Sequence, residues 1–105
     1  MIAYTSQLAH VVSSAYVRDP LALEHRGYSA GSFRDMTRVA KLNAGMWTEL
    51  FFENKDYLAG QIENLAERLL QYSAALRADS EEDMMRLLEE GTEYKVKSME
   101  SENPR

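Results

Sequence analysis

The residues best suited to chemistry lie in the stretch 27–47 of this 105-residue chain. Arg34, Arg38 and Lys41 are spaced at i, i+4 and i+7, so a helix through them would carry three cations on one face. The planar guanidinium of Arg38 would match a carboxylate through two parallel hydrogen bonds. Trp47, the single tryptophan, would add a flat apolar wall. Together these residue types predict a site for a small organic acid, although a spaced arginine is commonly solvated and a lone tryptophan commonly lies in the core.

A second candidate, His10, lies on a helix face that carries neither Lys nor Glu. The members of this face are small or polar: Ala3, Ser6, Gln7, His10, Ser13 and Ser14. Solvated faces usually carry charge, so this one suggests contact with a ligand or with a partner's backbone. The alternative is a structural histidine that makes a satisfied hydrogen bond within the fold, which is the commoner case for a lone histidine.

Several classes of function are excluded or disfavoured by composition. The net charge of −5 offers no field for a phosphate backbone, so we expect no nucleic-acid partner. The chain has no cysteine, hence no disulfide, thiol nucleophile or sulfur-based zinc site. The two histidines are fifteen positions apart, and we expect no metal site. No P-loop and no G-x-G-x-x-G motif is present, and no apolar run approaches the roughly 18 residues of a membrane span. We expect a soluble, cytoplasmic protein that is not a complete enzyme by itself.

Helical periodicity dominates the N-terminal half. Apolar residues recur at helical spacing over residues 2–17, and Pro20 ends that helix. Residues 21–30 lack a clear pattern and are predicted to be irregular. A capping-box pattern from Ser32 to Asp35 predicts a short helix that runs to about Leu42. Asn43 is a plausible cap for the helix that carries Trp47, and Asn54 either closes that helix or caps its successor.

A longer apolar stripe marks the C-terminal half. Its members, spaced alternately by four and three residues, are Leu58, Ile62, Leu65, Leu69, Tyr72 and Leu76. A second capping-box pattern, from Ser80 to Asp83, begins a last helix. The chain is therefore predicted to be all-α, with about five helices and a long C-terminal helical hairpin. We assign residues 1–97 to one domain and residues 98–105 to a polar tail.

Three segments of this sequence closely resemble the C-terminal dimerisation domain of prephenate dehydrogenases. The first segment, Ser6-Gln7-Leu8-Ala9-His10, is similar to the family pattern S-H-L-P-H. The second segment, from Gly31 to Ala40, is similar to the pattern G-F-[KR]-D-x-T-R-[IV]-A. The third segment, Met46-Trp47, matches the pattern M-W. The middle motif matches at seven or more positions. Gln7 and Ala9 depart from the pattern, and without the proline the first helix should run more regularly.

The resemblance implies an enzyme of two domains, in which an N-terminal domain binds NAD and a helical C-terminal domain dimerises and completes the substrate pocket. The family reaction is the oxidative decarboxylation of prephenate to 4-hydroxyphenylpyruvate, in tyrosine biosynthesis. By similarity, substrate binding falls to five residues: Ser6, His10, Gly31, Arg38 and Trp47. The catalytic histidine and the NAD site would lie in the other domain, so the isolated chain is expected to be inactive. A homodimer is expected, which would bury the long apolar stripe.

The main alternative is a non-enzymatic helical module for oligomerisation or regulation, in which the motif residues serve packing alone. A helical DNA-binding domain is a third hypothesis. The negative charge disfavours it, as does the lack of a basic recognition helix beyond residues 34–41.

Overall fold

The fold is that of a computed structural model, which describes the backbone of residues 3–24 and 31–102 and the side chains of residues 4–22 and 31–100. All regular structure in these ranges is helical, so the predicted all-α class with about five helices is confirmed. The elements are a π-helical segment Ala3–Gln7, α1 (Leu8–Val17), a 3₁₀ helix Pro20–Glu24, α2 (Gly31–Thr37), α3 (Ala44–Phe52), α4 (Lys55–Arg77) and α5 (Glu81–Glu102). Backbone contacts divide the chain into two compact units, Met1–Asn64 and Leu65–Arg105.

The first helix begins less regularly than expected. Its first five described residues, Ala3–Gln7, are π-helical, and the α-helical pattern starts only at Leu8. At Ala9, where the family pattern has proline, the α-helix is regular as expected. π-Helical turns are rare and often occur at functional sites. At the other end, α1 stops at Val17 and Pro20 begins the 3₁₀ helix, as the proline predicts. Residues 25–30, predicted to be irregular, lie outside the described residues.

The second helix is shorter than predicted, because it ends at Thr37 instead of Leu42. The Thr37 hydroxyl donates to the Phe33 carbonyl at 2.9 Å, a bond that competes with continued helix. Asn43 is also extended, so the chain must leave the helix before it. Arg38 and Lys41 consequently lie beyond the helix, and the predicted helical face of three cations is not formed. The helix starts at Gly31, which places Ser32 inside the first turn and not in the capping position predicted for it.

The third helix begins as predicted. The Asn43 side chain accepts a hydrogen bond from the Met46 N–H at 2.9 Å, which satisfies one of the N–H groups that a helix start leaves without a partner. Asn54 precedes α4, and its backbone carbonyl accepts from the Leu58 N–H at 3.0 Å. Its side-chain amide turns instead toward the first helix.

A tight turn joins α4 to α5, the two helices that were predicted to form a hairpin. The Asp79 and Ser80 N–H groups donate to the Leu76 and Ala75 carbonyls at 3.1 and 2.9 Å, which is the Schellman arrangement. Asp79 occupies its left-handed position, with φ 54°. The Ser80 hydroxyl accepts from the Asp83 N–H at 3.1 Å, so that half of the second capping box is formed. The last helix continues to Glu102 and thus includes residues 98–102 of the proposed tail.

Few of the described apolar side chains are buried. Leu8 and Leu58 are buried in the first unit and Ala75 in the second. Along the apolar stripe of α4, the more exposed members are Ile62, Leu69 and Leu76. On α5, exposed large apolar side chains are Met85, Leu88, Tyr94, Val96 and Met99. A single chain thus leaves much of the apolar surface of these two helices in solvent.

Candidate functional site

The centre of the candidate site is a stacked pair of rings from two helices. His10 on α1 and Trp47 on α3 have ring centroids 4.1 Å apart and planes inclined by 24°. Both side chains are half-buried, so each ring keeps some surface open to a ligand. The indole also contacts Phe51, one turn further along α3, at 5.7 Å between centroids. Trp47 therefore contacts both an imidazole and a phenyl ring.

A backbone bond orients the imidazole. Nδ1 of His10 lies 2.8 Å from the carbonyl oxygen of Ser6, in the π-helical segment. A carbonyl oxygen only accepts, so Nδ1 carries the proton and donates in this bond. Nε2 is then the ring nitrogen left to meet a ligand, as an acceptor when the ring is neutral and as a donor when it is charged. The contact of Ser6 with His10 is thus made by its backbone carbonyl.

A buried glutamine links the same two helices. Gln7 donates from Nε2 to the Leu50 carbonyl at 3.3 Å, and its Oε1 accepts from Asn54 Nδ2 at 3.2 Å. From the sequence, Gln7 was expected on the polar face of the first helix and departs from the family pattern, and Asn54 was expected to close α3 or to cap the next helix. The one available signal was the uncharged polar face of the first helix, on which Gln7 lies. No local pattern indicated that Asn54, 47 residues later, would meet it.

These contacts determine the relative direction of the first helix and α3. Moving from Gln7 to His10 along the first helix corresponds to moving back from Leu50 to Trp47 along α3. The two segments are therefore antiparallel, and the ring stack and the glutamine bridge are one helical turn apart. Through this arrangement the polar face of the first helix meets the aromatic face of the third.

The other two predicted site residues have no described contact with this cluster. Gly31 is the first residue of α2, and a Cβ added there would meet no atom within 4 Å. Packing within the described chain therefore does not require a glycine at this position. Arg38 follows the end of α2, is exposed, and forms no ion pair with any described residue. The structure thus brings Ser6, His10 and Trp47 together, while Gly31 and Arg38 lie on the segment between them in sequence.

The described residues of the cluster could bind an organic ligand. Among the described residues, no cluster of three histidine or acidic side chains could hold a metal ion. These residues also include no strand followed by a glycine-rich turn and a helix. What the cluster offers is an aromatic wall, one imidazole nitrogen and hydroxyl or amide groups, which are suited to an organic ligand with polar substituents.

Comparison with known proteins gives the family. The family model "Prephenate dehydrogenase, dimerization domain" matches residues 1–90. The chain belongs to this family. All five predicted site residues, Ser6, His10, Gly31, Arg38 and Trp47, fall within the matched range.

Curated relatives of the chain carry dehydrogenase names. It is 30% identical to a prephenate dehydrogenase of Lactococcus lactis subsp. cremoris over 82% of this chain and 26% of the relative. It is 22% identical to a prephenate dehydrogenase of Bacillus subtilis over 86% of this chain and 26% of that protein. A cyclohexadienyl dehydrogenase of Zymomonas mobilis is 30% identical over 72% of this chain and 28% of its own length.

The chain thus spans about a quarter of the length of the relatives it matches. No solved structure is significantly similar to it. Within the described residues, every helix is too short or too polar to cross a membrane.

Proposed function

We propose that this chain is the substrate-binding and dimerisation domain of an NAD-dependent prephenate dehydrogenase. The complete enzyme would oxidise prephenate, releasing carbon dioxide and forming 4-hydroxyphenylpyruvate as hydride passes to NAD. The family match over residues 1–90 is the observation that carries this proposal. NAD and the catalytic histidine would be supplied by a domain outside this chain, so the chain alone would be inactive. We expect the complete enzyme to be cytoplasmic.

Each site residue then has a role suited to its chemistry. Prephenate carries two carboxylates, and a chain of net charge −5 must attract them through local cations. Arg38 is exposed and has no described ion-pair partner, so its guanidinium is available to take one carboxylate in two parallel bonds. Trp47 would provide a flat wall for the substrate ring, while His10 Nε2 and the Ser6 hydroxyl would bind polar substituents. Gly31 would leave room for the substrate.

The dimer is the second part of the proposal, and it rests on the exposed apolar side chains of α4 and α5. Leu69, Leu76 and Leu88 are exposed although they lie on long, well-formed helices. Contiguous exposed apolar surface of this kind usually marks an interaction site. A second copy of the chain, related by a two-fold axis, would cover these residues with the same residues of its partner.

Substitution of arginines in the complete enzyme tests the substrate assignment. Arg38→Ala should cost about 2–5 kcal/mol of transition-state stabilisation, measured as the loss in kcat/KM for prephenate, because it leaves a carboxylate unpaired. Arg34→Ala is the matched control, since Arg34 is an exposed arginine of the same segment. Equal kinetics for the Arg38→Ala variant and the unsubstituted enzyme would overturn the role of Arg38.

The exposed helices also favour a second candidate function, a helical module that only oligomerises or regulates. Titration with 4-hydroxyphenylpyruvate separates the two, with Trp47 fluorescence as the signal because it is the single tryptophan. A saturable change that Arg38→Ala abolishes supports the enzyme domain. Dimer formation without any response, even at millimolar ligand, would favour the module.

A further inference from the structure

Gln7 and Asn54 have no role in the function proposed so far, although they make the polar contacts that join the first helix to α3. Gln7 is only 6% exposed. A buried amide costs free energy unless its hydrogen bonds are made, and those of Gln7 are made with the Leu50 carbonyl and with Asn54. The Gln7 side chain is therefore hydrogen-bonded to the last turn of α3 and to the residue just before α4.

The Leu50 carbonyl is available to Gln7 because it lies in the last turn of α3. The last four carbonyls of a helix have no N–H partner four residues further along the same helix. For Leu50 that partner would be the Asn54 N–H, which donates instead to the Phe51 carbonyl at 3.0 Å. The side-chain amide of Gln7 donates the hydrogen bond that the Leu50 carbonyl would otherwise lack. The side-chain amide of Asn54 donates a second hydrogen bond, to Gln7 Oε1.

This bridge lies one helical turn from the ring stack. Gln7 and His10 are three residues apart on the first helix, and Leu50 and Trp47 are three apart on α3, so each pair shares a helix face. The bridge and the stack are thus consecutive contacts between the same two helices. Loss of the bridge would free the two helices to shift and would change the distance between the imidazole and the indole.

We propose that Gln7 and Asn54 are positioning residues of the substrate site, which hold the His10 ring against Trp47. They act through the two rings and do not contact substrate. The effect on the rings follows from the geometry alone, whereas the effect on substrate binding rests on the proposed function.

Trp47 fluorescence in the 105-residue chain tests the effect on the rings. A charged imidazole accepts an electron from an excited indole better than a neutral one, so protonation of His10 should quench Trp47 while the rings are stacked. The emission of the unsubstituted chain should therefore be lower in acidic than in alkaline buffer. His10→Gln should abolish this change, which assigns it to His10 and not to His25. Gln7→Met and Asn54→Ala should each reduce its amplitude by about half or more.

A matched control and a second variant keep this test decisive. Gln71→Met makes the same substitution at an exposed position of α4 and should leave the quenching unchanged. Far-UV circular dichroism checks that each variant keeps its helices. If Gln7→Met fails to fold, the result for Asn54→Ala alone decides the test. That variant still allows the Gln7 bond to the Leu50 carbonyl. Full quenching in folded Gln7→Met or, failing that, in Asn54→Ala would overturn the inference.

Steady-state kinetics of the dehydrogenase that contains this chain test the effect on substrate. The Asn54→Ala variant should raise KM for prephenate about tenfold with kcat within about threefold, because binding and not the chemical step depends on the rings. A reduced quenching with an unchanged KM would overturn the role in substrate binding. If the unsubstituted enzyme does not oxidise prephenate at all, the proposed function fails, and the fluorescence result stands independently of it.

Discussion

The two units of the chain differ in the polar side chains that they bury. Both units expose large apolar side chains, among them Leu21 in the first and Leu69 in the second. Among the described residues, the buried polar side chains are Gln7 and Ser13, and both lie in the first unit, where Gln7 makes hydrogen bonds to two residues. Buried polar groups and exposed apolar patches are the informative departures from ordinary packing. The first unit therefore carries the candidate site, and the interface that we propose lies on the exposed apolar side chains of the second.

A charge placed on the exposed apolar surface of the second unit should have the largest effect, because it tests whether that surface is the dimer interface. Leu69→Glu should weaken a homodimer by at least about 2 kcal/mol, or roughly 30-fold in Kd, because a carboxylate would be buried against apolar side chains. Leu69 is 58% exposed and Leu21, in the first unit, is 68% exposed. Leu21→Glu is therefore the matched control and should leave association unchanged. Analytical ultracentrifugation measures both, and equal dimer affinities would show that the α4 surface is not the interface.

A substitution in the turn between α4 and α5 should have the next largest effect, on the free energy of unfolding. Asp79 is the described non-glycine residue with positive φ, at 54°. Asp79→Val should destabilise the chain by about 1–2 kcal/mol, since a β-branched side chain crowds the backbone in the left-handed region. Asp79→Gly should be neutral or stabilising. Urea unfolding of the two variants measures the difference, and equal stability for Val and Gly would mean that the turn adapts.

A third prediction concerns the cap of α3, which supports the ring stack of the first unit. Asn43→Ala removes the bond to the Met46 N–H and should cost about 1 kcal/mol in the free energy of unfolding. The pH-dependent quenching of Trp47 should also weaken. Asn64→Ala is the control: Asn64 is exposed within α4, where alanine is the better helix former, so stability should hold or rise slightly. A loss of equal size in both variants would argue against the cap.

The smallest effect is a pH dependence at the start of α5. Hydrogen bonding from Arg86, and then from Ser80, lowers the pKa of the Asp83 carboxyl from its ordinary value of 3.8. A group with a lowered folded pKa stabilises the fold above its ordinary pKa, and this stabilisation is lost as the pH falls below 3.8 through the folded value. Asp83→Asn should therefore lower Tm slightly at neutral pH and leave it unchanged near about pH 2.

A matched variant checks the cause of this pH dependence. The Arg86 guanidinium lies 2.9 Å from the Asp83 carboxylate, in an exposed pair. Arg86→Met should reduce the same difference in Tm between the two pH values, because it removes the group that lowers the pKa most. If the pH dependence of Tm is the same in Arg86→Met as in the unsubstituted chain, the pair does not contribute.

Sequence patterns predicted the helices well wherever the signal was local. Pro20 ended α1, Asn43 capped α3, and Ser80 began α5, because each acts on backbone groups within a few residues. The prediction failed where a local pattern was overruled by its neighbours. α2 stops at Thr37, whose hydroxyl bonds back to the Phe33 carbonyl, and Arg38 and Lys41 therefore lie outside the helix.

The candidate site divides in the same way. Its residues were predicted from motif types, and Ser6 and His10 meet because they are one helical turn apart. The stack of His10 on Trp47 joins residues 37 positions apart, and the bridge from Gln7 to Asn54 joins residues 47 apart. No spacing rule links such positions. Gly31 and Arg38 keep their predicted roles as proposals, since no described contact joins them to the stack.

By itself the sequence determined the helical class, most helix ends and the family to which the chain belongs, because periodicity, caps and motifs all act through neighbours along the chain. Only the tertiary structure decided that the His10 ring stacks on Trp47 and that Gln7 bonds to the Leu50 carbonyl of α3. These outcomes depend on how two antiparallel helices align, and that alignment is set by packing and by hydrogen bonds between distant residues.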